Sequence, residues 1–178
     1  ANQINPHFFF NSLGGLSSLV REDNKERTLE YVNKLSAVFR YILQSDKKGL
    51  VTLDEEFEFL ESYRYLLEVR YANKLSFDIS IDSKNRKLKL PVLSLLPLIE
   101  NVVKHNVIDS ENRMVISVHV NEKSEVIVSN PIHTKLEESP SNGIGLTNLR
   151  NRFILLMDKQ IEVDKTDEIF RVYLPLKK

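Results

Sequence analysis

The chain has 178 residues, with 25 Lys+Arg against 25 Asp+Glu and 42% apolar residues, enough to bury a core as one large domain or two small ones. A net charge of zero supplies no positive field to draw it to nucleic acid or an anionic membrane. No apolar run reaches the roughly 18–20 residues of a membrane span, and the lack of cysteine excludes disulfides, Cys-ligated zinc and thiol catalysis. These features predict a compact, soluble, intracellular piece.

The first element opens at Gln3-Ile4-Asn5-Pro6-His7-Phe8-Phe9-Phe10-Asn11. Asn5 is a good N-cap and Pro6 a favoured first helical residue, which puts His7 in the first turn. There the helix dipole disfavours imidazolium and leaves a nucleophilic imidazole, while the free amides welcome a phosphoryl group. Asn11 lies one turn on, placed to orient the ring. Within 24–45, Leu29, Val32, Leu35, Phe39 and Ile42 recur every three or four residues, predicting an amphipathic helix that Gly49 interrupts. Thr52 and Glu55 match a capping box, and the following helix carries Phe57, Leu60, Tyr63 and Leu67 to about Ala72. A hairpin of these two helices has more apolar stripe than one chain covers, which predicts a dimeric four-helix bundle.

From Leu75 the period falls towards two: Leu75, Phe77, Ile79 and Ile81, then 115–120, then Val126 and Val128, with further strands at 161–163 and 170–174. Helical stretches at 94–106 and 145–157 lie between them. The expected class is α+β: a helical hairpin over 1–73, then an α/β sandwich over 74–178, a sheet covered by helices on one face. In the first of these stretches, Glu100, Asn101, Lys104 and His105 share one polar face, offering a magnesium ligand beside a phosphate-binding cation. Before the second, Asn142-Gly143-Ile144-Gly145-Leu146 lets backbone amides approach an anion at a helix N-terminus. Taken singly, each cluster also has a plain structural reading: a surface His, a solvated helix face, a loop-to-helix turn.

Taken in order, the three clusters resemble the LytS/YehU-type sensor histidine kinases. Gln3–Asn11 is similar to that family's phospho-acceptor box, 100–105 to its N box and Gly143–Arg152 to its last glycine box. Val51-Thr52-Leu53, Glu55-Glu56, Phe59-Leu60, Tyr63 and Arg70-Tyr71 resemble its second dimerisation helix and that helix's end. The resemblance implies a dimerisation and phosphotransfer segment over 1–73 and a Bergerat-type (GHKL) ATP-binding domain over 74–178. It further implies ATP and Mg²⁺ as cofactors, with His7 as phospho-acceptor and Glu100 and Lys104 beside the reacting phosphate. Asn101 would hold Mg²⁺, and Asn101, Lys104, His105, Asn130, Gly143, Gly145, Leu146 and Arg150 the nucleotide. The implied partners are a second copy and a response-regulator receiver domain, of the LytTR type or similar. A cytoplasmic location follows, with any membrane attachment in segments outside this chain, which starts only six residues before His7.

Two departures stand out. Where the family reads Asp-x-Gly-x-Gly, this chain has Asn130-Pro131-Ile132, so a neutral amide stands where a carboxylate reads adenine. The lid over about 131–142 lacks hinge glycines and is expected to be short and stiff. Phe8 follows His7, where many histidine kinases place an acidic base. The alternatives are a nucleotide-binding dimer scaffold without phosphotransfer and, less compatible with the His7 box, a gyrase- or Hsp90-like ATPase.

Overall fold

The computed structural model describes residues 6–136 and 143–178; Asn5, Asn142 and the 137–142 part of the expected lid lie outside them. Three helices come first: α1 (Pro6–Arg21), α2 (Lys25–Gln44) and, after a short strand β1 (Leu50–Thr52), α3 (Leu53–Arg70). Asn24 caps α2 through its side chain, which accepts from Arg27 N. The capping box expected at α3 is present in full, Thr52 Oγ1 accepting from Glu55 N and Glu55 Oε2 from Thr52 N.

α1 and α2 form a tight helical hairpin that the hydrophobic period alone did not delimit. Gly14 and Gly15 sit inside α1 without breaking it, and Gly15 is there for proximity. A Cβ at Gly15 would lie 2.5 Å from Tyr31 Oη, and that buried hydroxyl donates to Ser12 O at 2.8 Å. Gly15→Ala should therefore push Tyr31 off its bond and overpack the seam, lowering stability by about 1–3 kcal/mol. A urea unfolding curve would show this as a lower midpoint with an unchanged slope.

α2 and α3 run antiparallel, as expected: Tyr41 bonds Glu56 near one end and Tyr65 bonds Glu30 near the other. The uncovered apolar stripe, however, is not where the sequence pattern placed it. α3 buries Leu53, Phe57, Phe59, Leu60, Tyr63, Leu66 and Leu67, because its second side packs on the sheet. Large apolar side chains stay exposed on the other two helices instead: Phe9, Phe10, Leu13 and Val20 on α1, and Leu29, Val32 and Leu43 on α2. Within the helical half, the open apolar face thus belongs to α1 and α2.

The remaining chain gives β2 (Leu75–Ser80), β3 (Lys89–Pro91), α4 (Leu96–His105), β4 (Met114–Val120), β5 (Glu125–Pro131), α5 (Ile144–Met157), β6 (Glu162–Lys165) and β7 (Ile169–Pro175). The order in the main sheet is β2-β4-β5-β7-β6, with β2 parallel to β4 and the other neighbours antiparallel. Alternation buries one face, through Leu75, Phe77, Met114, Ile116, Val118, Val126, Val128, Val172 and Leu174, under the helices. A two-stranded sheet, β1 with β3, was not expected, because three-residue strands carry too little alternation to read. It ties the start of α3 to the segment that leads into α4. Residue 73 therefore marks a change of period rather than a gap in packing: one apolar core runs from Leu19 to Leu176.

Candidate functional site

His7 is exposed in the first turn of α1. Asn11 Nδ2 lies 3.0 Å from His7 Nδ1, so the amide expected to orient the ring does face it. The next residue, Phe8, turns inward onto Phe39 and Tyr63, with ring centroids 5.9 and 5.4 Å away. This anchors the His7 turn near the C-terminal part of α2 and the middle of α3.

α4 has the expected two faces: Leu98, Ile99 and Val102 are buried, while Asn101 and His105 are half-buried and Lys104 is exposed. Both ends of this helix are fixed. At its start, a Cβ on Gly145 would meet Pro97 Cβ at 3.7 Å, so the N-termini of α4 and α5 converge. At its end, buried Asn106 donates through Nδ2 to Val102 O and accepts at Oδ1 from His133 N, at 2.9 and 2.8 Å. That second bond holds the C-terminus of α4 against the chain leaving β5, three residues beyond Asn130, about 10 Å along an extended chain. Asn106 is a positioning residue that the sequence pattern did not single out.

Asn130 is 4% exposed, and its Nδ2 donates to Pro131 O at 2.8 Å. This bond directs the amide nitrogen to the chain itself and leaves the carbonyl oxygen as the acceptor. Gly143 precedes α5 with φ 63°, a left-handed conformation that glycine adopts without strain, and its carbonyl takes the bond from Thr147 N. Leu146 is half-buried beside the core.

A cavity of about 640 Å³ opens between the turn after α2 and the paired starts of α4 and α5, lined among others by Asp46, Lys48, Glu100, Gly145, Asn148 and Arg152. Of the expected site residues it joins Glu100 and Gly145; Asn101, Lys104, His105, Asn130, Gly143, Leu146 and Arg150 do not line it. Burial pushes the Glu100 carboxyl up to about 7, and its charge also reaches the Tyr63 phenol. The arginine of α5 that lines this cavity is Arg152 rather than the exposed Arg150. The helical period explains this: seven residues from Gly145 return to nearly the same face, whereas five lead about 140° away. Arg152 donates to Val92 O. Among the described residues no group of three or more His, Cys, Asp or Glu could cage a metal, and no helix is long and apolar enough to cross a membrane.

Sequence comparison sets this chain beside signalling kinases. Residues 1–75 match the histidine kinase family, and most of the chain is similar to sensor kinases of the LytS type. Over 97% of its length it is 31% identical to the sensor histidine kinase/phosphatase LytS of Staphylococcus aureus strain MRSA252, and over 93% it is 29% identical to the sensor protein LytS of Oceanobacillus iheyensis. It spans about a third of the length of these curated relatives, 33% and 32% respectively. A solved structure, the catalytic domain of the histidine kinase ThkA, aligns with 72% of this chain and 96% of its own at 18% identity and TM-score 0.48.

Proposed function

We propose that the chain is the phosphotransfer and ATP-binding core of a two-component sensor, which phosphorylates His7 from ATP and passes the phosphoryl group to an aspartate of a response regulator. The observation that carries this reading is the fixing of α4 at both ends, against the glycine-capped start of α5 and against the strand end that bears Asn130. ATP then spans that helix, its adenine at Asn130 and its phosphates near Gly143 and Gly145, with Leu146 beside the base or ribose and His105 and Lys104 along the helix face.

The donor set fits a magnesium nucleotide. Asn101 offers one hard amide oxygen, and Mg²⁺ is ordinarily held by few protein groups together with substrate phosphates; bound there, the ion neutralises phosphate charge. Lys104 adds a cation. Arg150 is exposed on a different side of α5 from Gly145. His7 attacks the γ-phosphorus in line: an N–P bond forms as the bond to the β-phosphate oxygen breaks, and ADP leaves with those electrons. Asn11 can present either end of its amide to the ring. With its oxygen accepting from Nδ1–H, it leaves the Nε2 lone pair for attack. The proton that the ring then releases leaves from Nδ1, and the Glu100 carboxylate or water takes it.

The exposed apolar face of α1 and α2 is assigned to a second copy of the chain, which makes the four-helix bundle from the α1–α2 hairpins. Incubation with γ-labelled ATP and Mg²⁺ tests the whole reading: label on the protein should be acid-labile and alkali-stable. A protein that binds ATP but never acquires label would instead be the nucleotide-binding scaffold.

Asn130 gives a separate measure. Asn130→Asp should tighten ATP binding by roughly two- to ten-fold, since a charged acceptor is worth about 1.5–3 kcal/mol against about 1 for a neutral one, less the desolvation of the carboxylate. Calorimetric titration of ATP and GTP into both proteins reads it, with adenine preferred throughout. Equal affinities, without preference for adenine, would take position 130 away from the base.

A further inference from the structure

Glu56, in the first turn of α3, is 0% exposed, yet no Lys or Arg pairs with its carboxylate as a salt bridge among the described residues. It is matched by four hydrogen-bond donors, and the Arg152 charge reaches it without forming a salt bridge. Three are consecutive backbone amides: Leu93 N to Oε2 at 3.1 Å, and Ser94 N and Leu95 N to Oε1 at 2.8 and 3.3 Å. These are the residues that lead into α4, whose N-cap Leu95 has no capping side chain of its own. A carboxylate from another helix thus caps α4 and faces the positive end of its dipole.

The same grip explains a strained turn. Leu93 has φ 58°, a conformation a branched residue keeps only when its surroundings over-determine it. Glu56 holds Leu93 and Ser94 from one side, the Arg152 side chain bonds Val92 O from another, and Ser94 Oγ donates to Pro91 O at 2.5 Å.

The fourth donor comes from the hairpin. Tyr41 of α2 gives its hydroxyl proton to Glu56 Oε2 at 2.5 Å. Its ring stacks on Phe59 at 4.8 Å, with Lys48 Nζ 5.6 Å above it. Burial raises the Glu56 carboxyl, while the Tyr41 hydroxyl and the amides lower it; four donors converging on two oxygens are the arrangement of an ionised carboxylate. One hydroxyl therefore joins the helix that backs the His7 turn to the cap of the helix that carries Glu100 and Asn101, one turn further on.

We propose that the Tyr41–Glu56 hydrogen bond couples the two halves of the kinase: displacement of α2 is passed through Glu56 to the 93–95 cap and so to the pose of α4. Tyr41 is a positioning residue in this scheme, since it touches no substrate. The inference rests on the reading of α4 as the nucleotide helix. Coupling is reciprocal, so a nucleotide held by α4 must in turn be felt in α2, and this can be measured without phosphotransfer.

The test is hydrogen exchange at amides 36–44 with and without ADP and Mg²⁺, in the native protein, in Tyr41→Phe and in Phe59→Leu. Calorimetry on the same samples follows ADP binding, and circular dichroism the fold. In the native protein ADP should slow exchange there about fivefold or more. Tyr41→Phe should bind ADP within about threefold of the native protein and lose that slowing. Phe59→Leu, which disturbs the ring stack but keeps the hydroxyl, should retain it. Equal slowing in Tyr41→Phe, loss of slowing in Phe59→Leu, or no slowing in the native protein despite bound ADP would each overturn the coupling and leave the nucleotide site standing. Loss of ADP binding in Tyr41→Phe alone would make Tyr41 part of the frame of the site and also overturn it. If the native protein binds no ADP, the nucleotide reading itself fails, and the coupling with it.

Discussion

His7→Gln should abolish labelling from γ-labelled ATP while leaving ATP affinity within a few-fold of native. The imidazole is the only one on the three N-terminal helices, it stands exposed in the first turn of α1, and Asn11 lies against its ring. Glutamine preserves polarity and approximate length but has no lone pair able to form a stable phosphoramidate. The exposure of the side chain means that the packing of Phe8 on Phe39 and Tyr63 should survive the change, so a loss of label reports chemistry and not unfolding. Filter-bound radioactivity after alkaline treatment, beside a calorimetric titration of ATP, measures both quantities. Normal labelling in the variant would move the acceptor elsewhere and remove the role given to the α1 box.

Glu100→Gln is the second large effect. Glu100 lines the cavity between the turn after α2 and the starts of α4 and α5, one residue from Asn101. If its carboxylate takes the proton released as His7 is phosphorylated, the isosteric amide, which accepts no proton at neutral pH, should slow labelling by about 10²- to 10⁴-fold. ATP affinity should change little, or rise slightly as a negative charge beside the phosphates disappears. The charged groups around this position are Asp46 and Lys48 from the turn and Arg152 from α5, and all stay in place. Single-turnover labelling at saturating ATP separates the two quantities. A variant with native rates would hand the proton to water and leave Glu100 a structural part of the cavity wall.

Local pattern was enough for much of this molecule. Apolar residues every three or four positions in 24–45, the Thr52–Glu55 box and alternation from Leu75 all state a periodicity that short-range backbone geometry enforces by itself. The helices and the five main strands therefore appear where they were expected, α4 with its polar and apolar faces included. The order of the three motif clusters pointed to the histidine kinases, and comparison with LytS sensors supports it. The candidate site was legible as residue types on helix faces and at helix starts.

Long-range packing decided the rest, because burial depends on what arrives from elsewhere in the chain. Whether α3 would show an open stripe could not be read from α3, since the sheet that covers its second side is assembled from strands up to a hundred residues later. The open face consequently falls on α1 and α2. Gly15 reads as a helix weakness until Tyr31 closes on it at a distance no side chain allows. Arg152 and not Arg150 lines the cavity, because helical phase relative to Gly145, and not motif membership, sets which side chain faces it. Glu56 is the strongest case. In the sequence it is one of three acidic residues in a first turn, where a helix dipole alone would account for it. In the fold it is the buried cap of a different helix and the acceptor for Tyr41, and only tertiary structure brings those four donors to one carboxylate.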